Sequence, residues 1–172
     1  MRKAFLSVVV LLTVGLTASA QKLGPVHTDT DGKWSIAPPD GWTFSRNEKG
    51  AFFDGPSDAT FISNLGIGTT QNSMTFDKLT ETYLAYVPAH PEVLGVESTR
   101  VEGSGNVKSG DLKGFRVTFV SKKSGKTIRS TQYLFTKDEV KLYVLTFTAL
   151  DAYKVENDPL FEASAKTFKL IQ

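Results

Sequence analysis

The side chains that could perform covalent chemistry in this 172-residue chain are few and far apart. Serine catalysis requires a base beside the nucleophile, but His27 and His90 are the two histidines, and no Gly-x-Ser-x-Gly motif is present. The adjacent carboxylates Asp138 and Glu139 are typical of a solvated turn. Because the chain has no cysteine, a thiolate nucleophile, a disulfide and cysteine-ligated zinc are excluded. The sequence therefore predicts a protein that is not an enzyme, with a hydrolase or lipid-handling enzyme as a less favoured interpretation.

Two segments resemble ligand-binding loops but differ from them at essential positions. Residues 124–127 end like a phosphate-binding loop, yet its first glycine would fall on Val120, and no helix follows. Residues 27–32 alternate Thr and Asp like the start of a calcium loop, but the twelfth position, which requires a glutamate, is Pro38. We predict turns at both segments and therefore no cofactor and no metal. A weak hard-cation site at the second segment is the alternative.

Basic residues are concentrated in a predicted hairpin over residues 112–135. If Ser124 and Gly125 are its central turn residues, Arg116 pairs with Tyr133 and Val120 pairs with Arg129. Cations beside aromatic side chains are a composition that protein interfaces favour. We therefore predict a surface that docks on a protein partner or an anionic membrane surface, and its residues are Arg116, Lys122, Lys123, Lys126, Arg129 and Tyr133. A solvated turn that only protects a sheet edge is the alternative.

Aromatic residues are dense in the stretch before this hairpin. Five of them occur within about twenty positions, at Trp34, Trp42, Phe44, Phe52 and Phe53. Small β-rich domains use such side chains as their main buried mass. We therefore expect these residues in the core, with a ligand platform as the alternative.

Hydrophobic spacing predicts the elements that position these residues. Alternation indicates short strands near 34–36, 42–44, 51–53 and 61–68, and long strands over 112–121, 127–135 and 140–150. The last of these is apolar on both faces, so we expect it at the sheet centre with helices on each side. Helical spacing predicts one helix from Phe76 to Val87 and another with Asp158 as N-cap and Pro159 at its first position.

The second long hairpin has a less distinctive turn. Taking Asp138 and Glu139 as its loop pairs Tyr133 with Val144. This register predicts one core face that carries Phe115, Val117, Phe119, Ile128, Leu134, Tyr143, Leu145 and Phe147.

The first twenty residues have the parts of a secretory signal peptide. Arg2 and Lys3 precede an apolar run, and an Ala-x-Ala cleavage site ends at Ala20. The run is shorter than the ~20 apolar residues of a membrane span. We predict a cleavable signal peptide over 1–20, a flexible arm over 21–31 and a single domain over 32–172. The mature form is then exported to the bacterial periplasm or the extracellular space, without a transmembrane segment.

The charge of the mature domain limits its partners. Removing Arg2 and Lys3 from the 20 basic residues leaves 18, against 18 acidic residues. The basic balance of the whole chain therefore comes from the signal peptide, so nucleic acid is not an expected partner. We expect a monomer.

Several segments resemble the PsbP-like family. Residues 31–42 read Asp-Gly-Lys-Trp-Ser-Ile-Ala-Pro-Pro-Asp-Gly-Trp and are similar to the "(Y/D)GFSI-x-x-P-x-GW" opening of that family. Residues 51–56, 112–119 and 143–149 are similar to its later elements. The resemblance implies an α+β fold, an α/β/α sandwich with a central antiparallel sheet flanked by helices. It also implies a non-enzymatic extrinsic protein that docks on a larger assembly.

Family members in photosynthetic organisms assist the oxygen-evolving side of photosystem II, and some bind calcium, manganese or zinc. This chain departs from them, because its presequence is too short for chloroplast import and the lipid-modified cysteine of cyanobacterial members is absent. We therefore expect an exported, non-catalytic PsbP-like binding or assembly module. The alternative is a photosystem II-type extrinsic protein with a weak calcium or manganese site.

Overall fold

The computed structural model describes residues 22–48, 50–58 and 61–171. The predicted signal peptide and the predicted new terminus at Gln21 lie outside the described residues. Within these ranges the chain forms an α+β fold with helices α1 (Phe76–Ala89) and α2 (Lys154–Lys166), neither of them long and apolar enough to span a membrane. The strands are β1 (His27–Asp29), β2 (Trp34–Ile36), β3 (Thr43–Asn47), β4 (Gly50–Asp58), β5 (Phe61–Gln71), β6 (Ser98–Ser109), β7 (Leu112–Lys123), β8 (Lys126–Thr136), β9 (Lys141–Leu150) and β10 (Lys169–Leu170).

Seven strands form one antiparallel sheet in the order β3-β4-β5-β9-β8-β7-β6, and β1, β2 and β10 form a small second sheet. The central position of β9 confirms the prediction made from its two apolar faces. The segment expected to be a flexible arm includes β1, which pairs with β2. Strand β6 was not predicted, since its apolar positions are separated by serine, glycine and charged residues.

The two faces of the large sheet belong to different hydrophobic clusters. One cluster joins Phe76 and Val87 of α1 to alternate residues of the sheet such as Phe119. The other joins Phe161 of α2 to the opposite set, such as Phe147, and to the small sheet. One helix therefore contributes to each cluster.

The β7–β8 hairpin has the predicted register. Arg116 lies opposite Tyr133 and Val120 lies opposite Arg129. Ser124 and Gly125 have φ of 49° and 75°, the positive values that both central residues of a type I′ turn require. The short turn sequence was therefore sufficient to fix this pairing.

The predicted β8–β9 register is wrong by one residue. Tyr133 lies opposite Leu145 and not Val144. The connector is longer than assumed, because Asp138 accepts hydrogen bonds from the backbone of Val140 and Lys141, and Glu139 has a φ of 62°. Since side chains alternate across a strand, the slip exchanges the two faces of β9. Tyr143, Leu145 and Phe147 therefore pack with Tyr133 on the α2 side, not with Phe115 on the α1 side.

The helices begin close to, or before, their predicted positions. Thr75 caps α1 with its side chain, as the spacing from Phe76 indicates. Helix α2 starts at Lys154, so Asp158 and Pro159 are inside its first turns and are not its cap. A 3₁₀ turn over Asp151–Tyr153 leads directly into α2 and replaces the expected cap.

Candidate docking surface

Three predicted docking lysines surround the turn of the β7–β8 hairpin. Lys122 and Lys123 end β7, Lys126 begins β8, and Lys123 lies directly opposite Lys126. The Nζ of Lys122 donates to the Thr127 hydroxyl, 2.7 Å away. We call residues 122–127 the hairpin tip.

Arg116 lies away from the tip, in the middle of β7. It is half-buried on the sheet face that α2 covers. Lys166 and, less strongly, Arg116 lower the pKa of Glu162 in α2. Arg116 thus serves an electrostatic contact within the domain as well as reaching solvent.

Arg129 is buried and its charge is neutralised inside the protein, so the prediction that it contributes to a docking surface needs correction. Its side chain is 9% exposed. The guanidinium donates two hydrogen bonds of 2.7 Å to Asp158 of α2, a third to Glu102 of β6 and a fourth to Asp151, 3.2 Å away. Burial opposes the charge, but Asp158 and Glu102 outweigh it and raise the pKa of Arg129.

Tyr133 is also in the core and cannot contact a partner. It is 2% exposed and packs between Phe135 and Phe147, with ring centroids 6.2 and 5.8 Å away. Burial raises the pKa of its hydroxyl. Register reasoning placed Tyr133 and Arg129 on one face correctly, but α2 covers that face.

A cation that sequence reasoning missed lies beside the tip. Arg100 of β6 is exposed, and its partner Val120 is two positions from Lys122 on the same face of β7. The sequence carried no clear signal for it, because Arg100 lies in the strand whose apolar positions are separated by serine, glycine and charged residues. The accessible surface that the structure offers is therefore the hairpin tip with Arg100, and Arg116 lies apart from it.

The segment resembling a calcium loop uses its buried carboxylate within the protein. Asp29 accepts a hydrogen bond from the backbone N–H of Gly32 and forms an ion pair with Arg46 of β3. Burial alone would raise the pKa of Asp29, but these two partners lower it. Among the described residues, no group of three or more His, Asp and Glu side chains has an arrangement that could hold a metal ion.

The aromatic stretch divides between the core and the surface. Trp34 and Phe53 are fully buried, as expected. Phe44 remains partly exposed and stacks on His27, with ring centroids 4.0 Å apart. Trp42 is half-buried at the rim of the second cluster.

No protein-family model and no curated protein sequence matches the chain. Its fold is similar to that of cyanobacterial PsbP from Synechocystis sp. PCC 6803, with a TM-score of 0.64 and 12% identity over 93% of this chain and 98% of that one. It is also similar to LpqN of Mycobacterium tuberculosis, which is involved in cell envelope biogenesis, with a TM-score of 0.61 and 13% identity over 81% of this chain and 83% of that one. A third similar structure is the Ran-binding protein Mog1p of Saccharomyces cerevisiae, with a TM-score of 0.63 and 11% identity over 88% of this chain and 97% of that one. These similarities confirm the PsbP-like fold. At identities this low, they show the fold and not the function.

Proposed function

We propose that this protein is an exported, non-catalytic binding module that docks on a larger assembly through its hairpin tip. The similar folds of a Ran-binding protein and of a protein involved in cell envelope biogenesis support a binding role. We further propose an α/β/α sandwich in which the helices brace opposite faces of the sheet and hold the hairpin rigid. The domain acts as a monomer.

The observation that carries this proposal is the like-charged pair at the tip. Lys123 and Lys126 are directly opposite each other, and like charges in that position destabilise a hairpin. Glu97 offsets part of this charge, because its carboxylate accepts a hydrogen bond of 2.7 Å from the N–H of Ser124 in the turn. Arg100 and Lys122 add positive charge on the adjoining strands. The lysines of the tip outnumber this carboxylate, so an acidic partner surface would meet a net positive charge there.

An acidic protein surface suits the tip better than an anionic membrane does. Residues 122–127 include no apolar side chain, and membrane binding by a surface element depends on buried apolar area as well as on charge. The membrane remains the second outcome of the test.

The test compares two triple variants of the mature protein with equal changes of charge. The first changes Lys122, Lys123 and Lys126 to Glu, and the control changes the exposed residues Lys33, Lys154 and Lys169 to Glu. Partners are captured from the envelope of the native host, and their association is measured over a series of salt concentrations. We expect the tip variant to associate more slowly, with a weaker salt dependence, while the control behaves as wild type.

Matching melting temperatures would establish that both variants fold. Equal association rates for the tip variant and the wild type at all salt concentrations would show that the tip is only a solvated edge and not the docking site. Binding of the wild type to phosphatidylglycerol vesicles, without protein capture, would assign the tip to membranes. Export is tested separately, by measuring the intact mass of the exported protein, which should match a chain that starts at Gln21.

A further inference from the structure

A cleft of about 670 Å³ opens where the first turn of α2 meets strands β4 and β5. This volume is typical of small-ligand sites, which range over about 300–1,000 Å³. The aromatic side chains along it are Trp42, Phe61 and Tyr153, and the hydrogen-bonding ones include Asp40, Glu156 and Asn157.

The sheet side of the cleft is shaped by a break in β4. The register between β4 and β5 shifts between Asp54 and Ser57, and such bulges are over-represented at sheet edges and next to active sites. A Cβ added to Gly55 within the bulge would lie 2.4 Å from the Trp42 indole, so the ring rests directly on the strand backbone. The same ring meets Phe161 of α2 edge-on, with centroids 6.0 Å apart. Trp42 is thus fixed between the sheet and the helix.

The helix side of the cleft is held by the buried arginine. Arg129 binds Asp151 and Asp158, which lie on either side of Tyr153 and Glu156 in the chain. Tyr153 itself is 53% exposed, although its segment is anchored. An exposed aromatic ring on an anchored segment is a preformed stacking surface.

The chemistry of the lining selects among ligand classes. A phosphorylated or otherwise anionic ligand is disfavoured, because the lining places one cation, Lys22, against two carboxylates, Asp40 and Glu156. An alkyl chain would leave these carboxylates and Asn157 without partners on desolvation. A sugar ring offers apolar C–H faces to stack on aromatic rings and hydroxyl groups to donate to carboxylate and amide oxygens. We propose that this cleft binds a short neutral oligosaccharide.

Tryptophan fluorescence gives a local measurement of binding. The chain has two tryptophans, and Trp34 is 2% exposed, so a ligand in the cleft acts on the emission of Trp42. Maltotriose, cellotriose and N-acetylchitotriose are titrated against the mature protein, with saturation-transfer NMR in parallel. We expect at least one of the three to bind with a Kd of about 1 mM or tighter.

Two variants on the exposed helix side test the location without disturbing the core. Tyr153→Ala should weaken binding about tenfold, the equivalent of one stacking contact, and Glu156→Gln should weaken it by a smaller factor. The matched control is Tyr86→Ala, because Tyr86 is a similarly exposed tyrosine on α1 outside the cleft lining. It should bind as wild type does.

Three results would overturn the proposal. One is the absence of saturation transfer from all three trisaccharides to the folded wild type. Another is equal affinity in wild type and Tyr153→Ala. The third is quenching of tryptophan emission by dodecanoate but by none of the sugars, which would make the cleft an alkyl-chain site.

Discussion

At the scale of single residues, Arg129 connects four parts of the domain. Its own strand β8 is joined through it to Glu102 in β6, to Asp151 before α2 and to Asp158 within α2. Glu102 is the extra residue of a bulge in β6, where the register with β7 shifts between Val101 and Gly103. The bulged residue is therefore the one whose carboxylate contacts the Arg129 guanidinium.

Removing this cation should destabilise the protein severely. Arg129→Met leaves three carboxylates together without their counter-charge, and we expect a loss of about 3 kcal/mol in the free energy of unfolding. The expected loss is at the low end of the range for a broken buried ion pair, because the three carboxylates keep some contact with water. Arg129→Lys should recover little, since a lysine cannot make the two parallel bonds to Asp158.

The measurement is urea unfolding, with Arg116→Met as the matched control on the neighbouring strand. Arg116 is half-buried, and we expect its replacement to cost less than about 1 kcal/mol. Similar losses in the two methionine variants would contradict the role assigned to Arg129.

Asp29 should contribute a pH-dependent part of stability. Its pKa is lowered in the folded protein, so its contribution is present above the unfolded pKa of about 3.9 and is lost as the pH falls through the folded value. We expect Asp29→Asn to reduce the free energy of unfolding by about 1–2 kcal/mol at pH 7. The difference from wild type should shrink below pH ~4.

Urea unfolding at pH 7 and pH 3 checks this prediction. Asp31→Asn is the control, because Asp31 is exposed two positions away. A difference between wild type and Asp29→Asn that stays constant across this pH range would show that the effect is not one of charge.

At the scale of elements, the two hairpins show what the sequence could predict. The β7–β8 turn has two central residues and a glycine at the second, so its length and backbone conformation follow from local preference. The β8–β9 connector is held partly by the local hydrogen bonds of Asp138 and partly by Glu139, whose carboxylate accepts from the N–H of Phe76 and pairs with Lys113. These partners lie far away in the chain, so local turn chemistry could not predict them.

The same distinction explains the docking residues. Alternation placed the side chains of Arg129 and Tyr133 on the correct face, but whether that face is exposed depends on α2, which starts before its expected cap. At the tip, Lys122 and Lys123 are exposed and Lys126 is half-buried, because a turn lies at the surface whatever packs on the sheet, and the docking role of these lysines stays a prediction.

Substitutions in the type I′ turn should change stability in opposite directions. Ser124→Asn should add up to about 0.5 kcal/mol, because asparagine accepts the positive φ more readily than serine does. Gly125→Ala should cost about 1–2 kcal/mol for the same reason. Thermal melts measure both effects, and equal shifts of the melting temperature in the two variants would argue against a type I′ turn.

At the scale of the whole molecule, the strand order joins distant parts of the chain. Strand β5 is paired with β9, and β2 is paired with β10. Both hydrophobic clusters therefore draw on residues from the two halves of the sequence. The pairings β3–β4–β5 and β6–β7–β8–β9 join strands that are consecutive in the chain, and the β5–β9 pairing connects these two groups into the large sheet.

This topology has a consequence for the order of folding. Strands β3, β4 and β5 pair with one another, but the other edge of β5 stays unpaired until β9 is available, and closing this long loop limits the folding rate. We expect refolding on the millisecond-to-second scale of proteins rich in non-local contacts. Stopped-flow fluorescence of the mature protein measures it, and microsecond refolding would contradict the expectation. In the exported form proposed above, the N-terminal half crosses the membrane first, so the edge of β5 would stay unpaired until the last strands follow.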